Sequence, residues 1–294
     1  GSHLAEKMSE KYKVIIIDNL MHGSKLKKNK NIQLVKGDIR NYNLVKKYSK
    51  NCSTIFHLAA ILGVDIVSDR NIETMECEFI GLKNICDAAK DNKVKKIIYS
   101  SSSGVYGKIN FKKNVKEDIA IAPVSAYALA KRAGEIYLKN FFKETNITTI
   151  AVRLFNVYGP RQDDRMVIPR FIAQAKKNKK ITVYDSGNQT RDFTYISDCI
   201  KVFSLLHEKK INEFQILNSS RGSEMKIISL AKEIIKLTGS SSKIVNLKVP
   251  KKIKEFQVPK RCGNSSKLKN LIHYKPSINI KDGLRKTVTY YKKI

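Results

Sequence analysis

Acidic residues are scarce in this 294-residue chain, 26 against 57 lysines and arginines, and arginine is itself scarce beside lysine, 11 against 46. The resulting net charge of +31 would suit a nucleic-acid-binding face. The excess, however, is lysine scattered in stretches such as Lys25 to Lys30 and Lys176 to Lys180. These read as solvated surface, so nucleic acid is not the expected partner, and an anionic small molecule suits the field better. Paired cysteines are also missing. Cys52, Cys77, Cys86, Cys199 and Cys262 are odd in number and form no Cys-x-x-Cys spacing, which speaks against a metal site or disulfide framework and for a reducing, cytoplasmic setting. No apolar run approaches the roughly 18 residues of a membrane span. No internal repeat, linker or low-complexity tract interrupts the chain.

What is present is an alternation of strand and helix patterns. Strands are expected at Val14 to Asp18, Ile32 to Lys36, Thr54 to Leu58, Lys96 to Ser101 and Thr148 to Arg153, and helices at Ser2 to Glu10, Asn43 to Lys50, Ile72 to Asp91 and Ser125 to Glu144. That rhythm is the signature of an α/β fold, a parallel sheet with helices on both faces. Past Gly159-Pro160 it breaks. Helices at Pro169 to Lys177 and Lys226 to Leu237, with a lysine-rich tail, predict a smaller second lobe. Arg191 to Leu206 and Gln215 to Asn218 are expected to return to the first.

Tyr127-Ala-Leu-Ala-Lys131 carries the chemistry. In the first turns of a helix, residues four apart share a face, so the Lys131 ammonium can sit beside the Tyr127 phenol. Bringing a tyrosine from pH 10 to about 7 requires roughly 4 kcal/mol of preferential phenolate stabilisation, and a nearby cation supplies part of it. Tyr42 and Lys46 have the same spacing but no serine run before them, and read as helix surface. Upstream of Tyr127, Lys95 to Gly107 reads as a buried strand ending in the small-residue loop Ser100-Ser101-Ser102-Ser103-Gly104, and catalytic groups belong at such a carboxyl end. Ser102 completes the set.

These residues resemble the extended short-chain dehydrogenase/reductase family, and most closely its nucleotide-sugar epimerases. The likeness runs nearly end to end: Val14 to Leu20, Gly37-Asp38-Ile39-Arg40, Phe56-His57-Leu58-Ala59-Ala60, Ser100 to Gly107, Tyr127 to Lys131, Arg153 to Pro160 and Gln189 to Phe193. It implies a Rossmann-type doubly wound parallel sheet with a smaller C-terminal substrate-binding lobe. Residues 1–160 with about 191–220 would bind NAD, and about 161–190 with 221–294 would bind the nucleotide sugar. The family opens with a strand and a Gly-x-x-Gly-x-x-Gly turn that receives the cofactor pyrophosphate. Here Gly1 to Lys7 resembles the third glycine and the following helix, so the first strand and two glycines are absent from the sequence as given, and NAD is expected to be held weakly or not at all without them.

The resemblance assigns Ser102, Tyr127 and Lys131 to catalysis, and to NAD Gly1, Asp18, Asn19, Asp38, Ile39, Leu58, Ala59 and Ala60, with Tyr127 and Lys131. Asp18, closing the second family strand, would accept both adenosine-ribose hydroxyls and repel a 2'-phosphate, which favours NAD over NADP. Asp38-Ile39 matches the adenine contact, and His57 reads as a packed strand histidine rather than a base. Ser102, Asn156, Tyr184, Arg191 and Lys254 are expected on the substrate. Asn156 and Arg191 match residues that hold the diphosphate, Tyr184 lines the base, and Lys254, in Lys254-Glu255-Phe256-Gln257, replaces a second phosphate arginine. Arg261 stands at a gatekeeper position and favours an unacetylated hexose. Glu78 departs from the pattern, since relatives usually carry asparagine there.

Sugar dehydratases of this family carry an Asp-Glu pair directly after the hydroxyl residue, and UDP-glucuronate decarboxylases a glutamate two places after it. Ser103 and Gly104 stand there instead. The expected activity is therefore NAD-dependent 4-epimerisation of a UDP-hexose, UDP-glucose and UDP-galactose first. The alternatives are another nucleotide-sugar enzyme such as a UDP-glucuronate epimerase, or a non-catalytic, RNA-binding relative. Ile136, Tyr137, Asn140 and Phe141, at helical spacing, are expected in a homodimer interface.

Overall fold

The computed structural model describes residues 1–108, 114–254 and 257–293. Through the first half run α1 (Ser2–Met8), β1 (Val14–Asp18), β2 (Ile32–Lys36), α2 (Tyr42–Ser49), β3 (Thr54–His57), α3 (Val64–Asp69), α4 (Asn71–Asp91), β4 (Lys96–Ser102), α5 (Ala126–Thr145) and β5 (Thr148–Leu154). The second half adds β6 (Val157–Tyr158), α6 (Val167–Lys176), β7 (Ile181–Tyr184), β8 (Thr190–Asp192), β9 (Thr194–Tyr195), α7 (Ile196–Glu208), β10 (Gln215–Ser219), β11 (Glu224–Lys226), α8 (Ile227–Thr238), β12 (Ile244–Leu247), α9 (Lys251–Lys254), α10 (Ser266–Ile272) and α11 (Ile280–Lys292).

The central sheet is parallel, in the order β10-β5-β4-β3, with Phe56 opposite Ile98 and Ile98 opposite Ile150. A parallel strand is covered on both faces, so its sequence is continuously apolar or small rather than alternating. In β4 every residue from Lys96 to Ser101 is buried. Even Lys96 fits: its ammonium donates to the carbonyls of Leu206, His207 and Lys209 at 2.7–2.8 Å, satisfying the carboxyl end of α7.

β1 and β2 form a separate parallel pair and, among the described residues, β1 is not hydrogen-bonded to β3. Both nevertheless feed the same two apolar layers. Val14 and Phe56 pack on one face with Leu4, Met8, Val202 and Phe203, and Ile17 and Ile55 on the other with Leu82, Ile85 and Leu138. A third core, built by Phe171, Ile181, Val183, Leu230, Ile234 and Leu284, lies among α6, β7, α8 and α11.

The expected strands and helices are found with ends moved by one or two residues. α1 stops at Met8, two short of Glu10, and the β3 strand ends at His57 rather than Leu58. The pairs β6·β9, β8·β11 and β7·β12 are two to four residues long and had no periodicity to mark them. The interface stripe needs a correction. Ile136 and Tyr137 are exposed, but Phe141 is buried and packs in this chain's own core with Leu138 and Ala151. No described helix is long and apolar enough to cross a membrane. The lysines of 25–30 and 176–180 are exposed.

Candidate active site

Ser125 caps α5, its side chain accepting the Ala128 N–H at 3.1 Å, so the helix begins at Ala126 and Tyr127 lies in its first turn. Lys131 follows one turn later on the same face, with its Nζ 5.6 Å from the Tyr127 ring centroid. β4 delivers Ser102 at its carboxyl end, where the hydroxyl accepts the Gly104 N–H at 3.0 Å and starts a tight turn over Ser103–Tyr106. Ser102 and Tyr127 are half-buried and Lys131 is buried. The Tyr127 phenol is pushed up by burial and by the Glu78 charge, while the Lys131 charge and a hydrogen bond with Ser102 pull it down. The three expected catalytic residues are thus brought together. Gly104 faces the same space: a Cβ there would lie 3.2 Å from the Ser102 Oγ and 3.5 Å from Ala128. The position two places after the serine is therefore within reach of its hydroxyl, and here it holds no side chain.

Beneath the loop lies a buried ionic lattice that the sequence did not reveal. Arg153 forks onto Glu135 through Nε to Oε1 at 2.8 Å and Nη2 to Oε2 at 2.9 Å, and Ser101 donates to Glu135 at 2.6 Å. Arg153 also donates to the Tyr106 hydroxyl at 2.9 Å, and Tyr106 to Asn218 at 2.7 Å. The lattice ties β4, β5, α5 and β10 together under the site.

The cofactor-side residues lie along the carboxyl ends of β1, β2 and β3. Asp18 and Asn19 are exposed, and each carboxylate or amide oxygen closes a local turn, Asp18 Oδ1 on Leu20 N at 2.8 Å and Asn19 Oδ1 on Met21 N at 3.1 Å. Asp38 is gripped by Arg40, whose Nη2 lies 2.7 Å from Oδ2, and that hydrogen bond holds its carboxyl below the ordinary value. The Ile39 side chain is committed to the core, pressed on Gly81 where a Cβ would fall 2.3 Å away. Leu58, Ala59 and Ala60 are half-buried, and Gly1 precedes α1 without a capping side chain. His57 is packed against Tyr99 with ring centroids 5.3 Å apart, and burial holds its imidazole neutral, down to about 3.

On the other side, Arg191 donates to the carbonyls of Thr190 at 2.7 Å and Val258 at 2.9 Å. Arg261 donates to the Gly107 carbonyl at 3.0 Å, just past the serine loop. Burial lowers both guanidinium groups to about 10, and for Arg261 the charge of Arg191 adds to the effect. No carboxylate lies within ion-pair distance of either among the described residues. Asn156 spends its amide on the Asp192 carbonyl at 3.0 Å. Tyr184 is half-buried, with the Arg170 guanidinium 5.8 Å from its ring centroid. Lys254 is exposed at the end of α9, and Glu255 and Phe256 lie outside the described residues.

A parallel α/β sheet with a serine at the carboxyl end of a central strand, facing a tyrosine and lysine one turn apart on the next helix, defines a class of dinucleotide-dependent enzymes acting on hydroxyl-bearing substrates. The pattern of the NAD dependent epimerase/dehydratase family matches residues 1–218, and the chain belongs to that family. It is 34% identical over 307 aligned positions to the UDP-N-acetyl-alpha-D-glucosaminuronate decarboxylase of Bacillus cytotoxicus, spanning 100% of this chain and 95% of the relative. In structure it resembles the UDP-glucose 4-epimerase of Thermotoga maritima bound to UDP-glucose, with a TM-score of 0.93, 27% identity, and 100% and 95% of the two chains covered. A UDP-glucuronic acid 4-epimerase mutant from Bacillus cereus, in complex with UDP-4-deoxy-4-fluoro-glucuronic acid and NAD, matches with a TM-score of 0.88 at 29% identity over 100% and 96%.

NAD is the cofactor of this family, and the side chains present fit it at the ribose and nicotinamide end. The buried Lys131 nitrogen has an ion-pair partner in Glu78 at 2.8 Å but makes no well-directed hydrogen bond among the described residues. It therefore retains N–H groups for ribose hydroxyls.

Proposed function

We propose that the chain catalyses the NAD-dependent 4-epimerisation of a UDP-hexose, with UDP-glucose and UDP-galactose the first pair to test. The carrying observation is the Ser102–Tyr127–Lys131 set facing Gly104, with no carboxylate at 103 or 104. By the resemblance, the sugar dehydratases and UDP-glucuronate decarboxylases of this family carry a carboxylate in that loop, whereas epimerisation needs only one group that removes and returns a proton. Tyr127 takes the proton from the C4 hydroxyl and gives it back after the sugar has turned. Ser102 bridges the sugar hydroxyl and the phenol. Lys131 favours the phenolate and holds the cofactor ribose. NAD, when bound, supplies the acceptor to which hydride leaves C4 and from which it returns, so net oxidation is zero. Asn156, Arg191 and Lys254 hold the diphosphate and Tyr184 the base. Arginine suits the diphosphate because its planar fork donates two parallel hydrogen bonds.

A second reading, a UDP-uronate 4-epimerase, is favoured by one observation: Arg261 stands beside Arg191 with no carboxylate partner among the described residues, and a C6 carboxylate would neutralise it. Incubation with UDP-glucose, UDP-galactose and UDP-glucuronic acid, followed by separation of the C4 epimers, tests both. Interconversion of the hexose pair supports the first reading. Turnover of the uronate alone replaces it with the second, and release of carbon dioxide or water from any of them rejects both.

A further inference from the structure

Glu78 is the residue at which this site departs most from a plain tyrosine–lysine pair. It lies on α4 and is 1% exposed. Its Oε1 is 2.8 Å from Lys131 Nζ, and its Oε2 accepts the Tyr99 hydroxyl at 2.9 Å. Three elements therefore converge on one carboxylate: α4, α5 through Lys131, and β4 through Tyr99. The Tyr99 ring lies under Lys131, 4.6 Å from the nitrogen to its centroid. Gly134 on α5 makes the convergence possible, because a Cβ there would lie 2.8 Å from the Tyr99 hydroxyl and 3.1 Å from the Leu82 side chain.

We propose that Glu78 is a positioning residue that sets the charge felt by Tyr127: paired with Lys131, it cancels much of the cationic help the lysine gives the phenol and anchors the ammonium on the α4 side of the site. A cation and an anion at ion-pair distance act on a third group as a dipole, not as a free charge, so the field of Lys131 at Tyr127 is cut back. The influences on Tyr127 agree, with Glu78 pushing the phenol up where Lys131 pulls it down. The other groups around Glu78 leave this balance in place. Tyr99 is raised well above its ordinary value, first by burial and then by Glu78, and stays protonated. Cys77, on the same helix, is pushed up to about 11, mainly by burial. His57 on β3 is neutral. An amide at residue 78 would leave Lys131 as an undivided charge on Tyr127.

The inference rests on Tyr127 being the proton-transfer group, and its test needs neither substrate nor cofactor. Alkaline spectrophotometric titration of the parent against Tyr127→Phe isolates the Tyr127 phenol, and the same difference is taken in a Glu78→Gln background. In Glu78→Gln the phenol should titrate about one pH unit lower, the scale of one neighbouring charge, giving about tenfold more phenolate at any pH well below the midpoint. Glu78→Asn, which restores the residue relatives usually carry, should move it the same way and guards against a folding failure of the first variant. An unchanged or higher phenol overturns the proposal, and so does failure of both variants to fold, which would make the pair a structural strut alone. If the phenol shifts and no UDP-hexose is turned over, the proposed reaction falls and this inference stands.

Discussion

Removing Glu135 should destabilise the chain more than removing the arginine it binds, and the reason lies in what each leaves behind. In Glu135→Leu, Arg153 stays at 1% exposure with, among the described residues, the Tyr106 hydroxyl and the Glu117 carbonyl, at 2.9 and 3.2 Å, to receive its five N–H groups. In Arg153→Met, Glu135 keeps Ser101 at 2.6 Å and Arg132 at 3.1 Å, so its charge is still balanced. Burial alone lowers the Arg153 guanidinium, yet the hydrogen bonds and charge of Glu135 outweigh it and the net direction is up. An uncompensated buried charge costs about 3–5 kcal/mol, a fifth or more of a typical stability of about 5–15 kcal/mol. We therefore expect about 4 kcal/mol for Glu135→Leu and about half that for Arg153→Met. The double variant, which leaves no orphaned charge, should cost less than Glu135→Leu alone. Equilibrium denaturation followed by circular dichroism gives all three values. An Arg153→Met cost equal to or above that of Glu135→Leu would refute the reasoning, as would a double variant at or beyond the sum of the singles.

Further outcomes are expected. Tyr127→Phe should lower epimerase turnover at least about a hundredfold, the usual scale for a lost proton-transfer group, with nucleotide-sugar affinity nearly unchanged; near-normal turnover would remove Tyr127 from its role. Burial pushes the Asp192 carboxyl up to about 6 against the pull of the Gly222, Gly263 and Arg221 backbone donors and the Cys262 thiol, while an unfolded aspartate titrates at about 3.9. Folding thus favours the protonated form, and its contribution, full below about pH 4, is lost as pH rises through about 6, on the order of 3 kcal/mol in all. Asp192→Asn should remove that slope, which denaturation midpoints at the two ends of the window would reveal. Ile72, Phe79 and Ile80 on α4 and Ile136 and Tyr137 on α5 are exposed, so light scattering at micromolar concentration should give about twice the 33.5 kDa chain mass; a monomer there would count against this face as an interface.

What the sequence made legible was local. The central strands could be read because a strand buried on both faces carries apolar or small residues without polar alternation, as in Ile97 to Ser102, and α5 because Ser125 marks its start. Tyr127 and Lys131 could be paired because four residues are one helical turn. The short strands of the second lobe could not be read, since Val157 meets Thr194 and Thr190 to Asp192 meets Glu224 to Lys226 only after folding. The same limit hid Glu135, whose partners Ser101 and Arg153 lie 34 and 18 residues away.

Glu78 shows how far a family resemblance reaches. The pattern identified residue 78 as a departure from asparagine and could say only that a charge there must be paired or solvated. Its partner is Lys131, 53 positions along the chain, and the pairing depends on Gly134 admitting Tyr99 between two helices. The resemblance expects a serine at the end of such a strand and a tyrosine and lysine at the start of the next helix, and Ser102, Tyr127 and Lys131 stand there at the end of β4 and the start of α5. The strength of the proposed base is not fixed by those three residues, because it is the difference between opposing influences: burial and Glu78 raising the phenol, Lys131 and Ser102 lowering it, with the net direction up. One residue outside the serine–tyrosine–lysine set is enough to tip such a difference, so the pH range in which this chain works should follow Glu78 more closely than it follows its relatives.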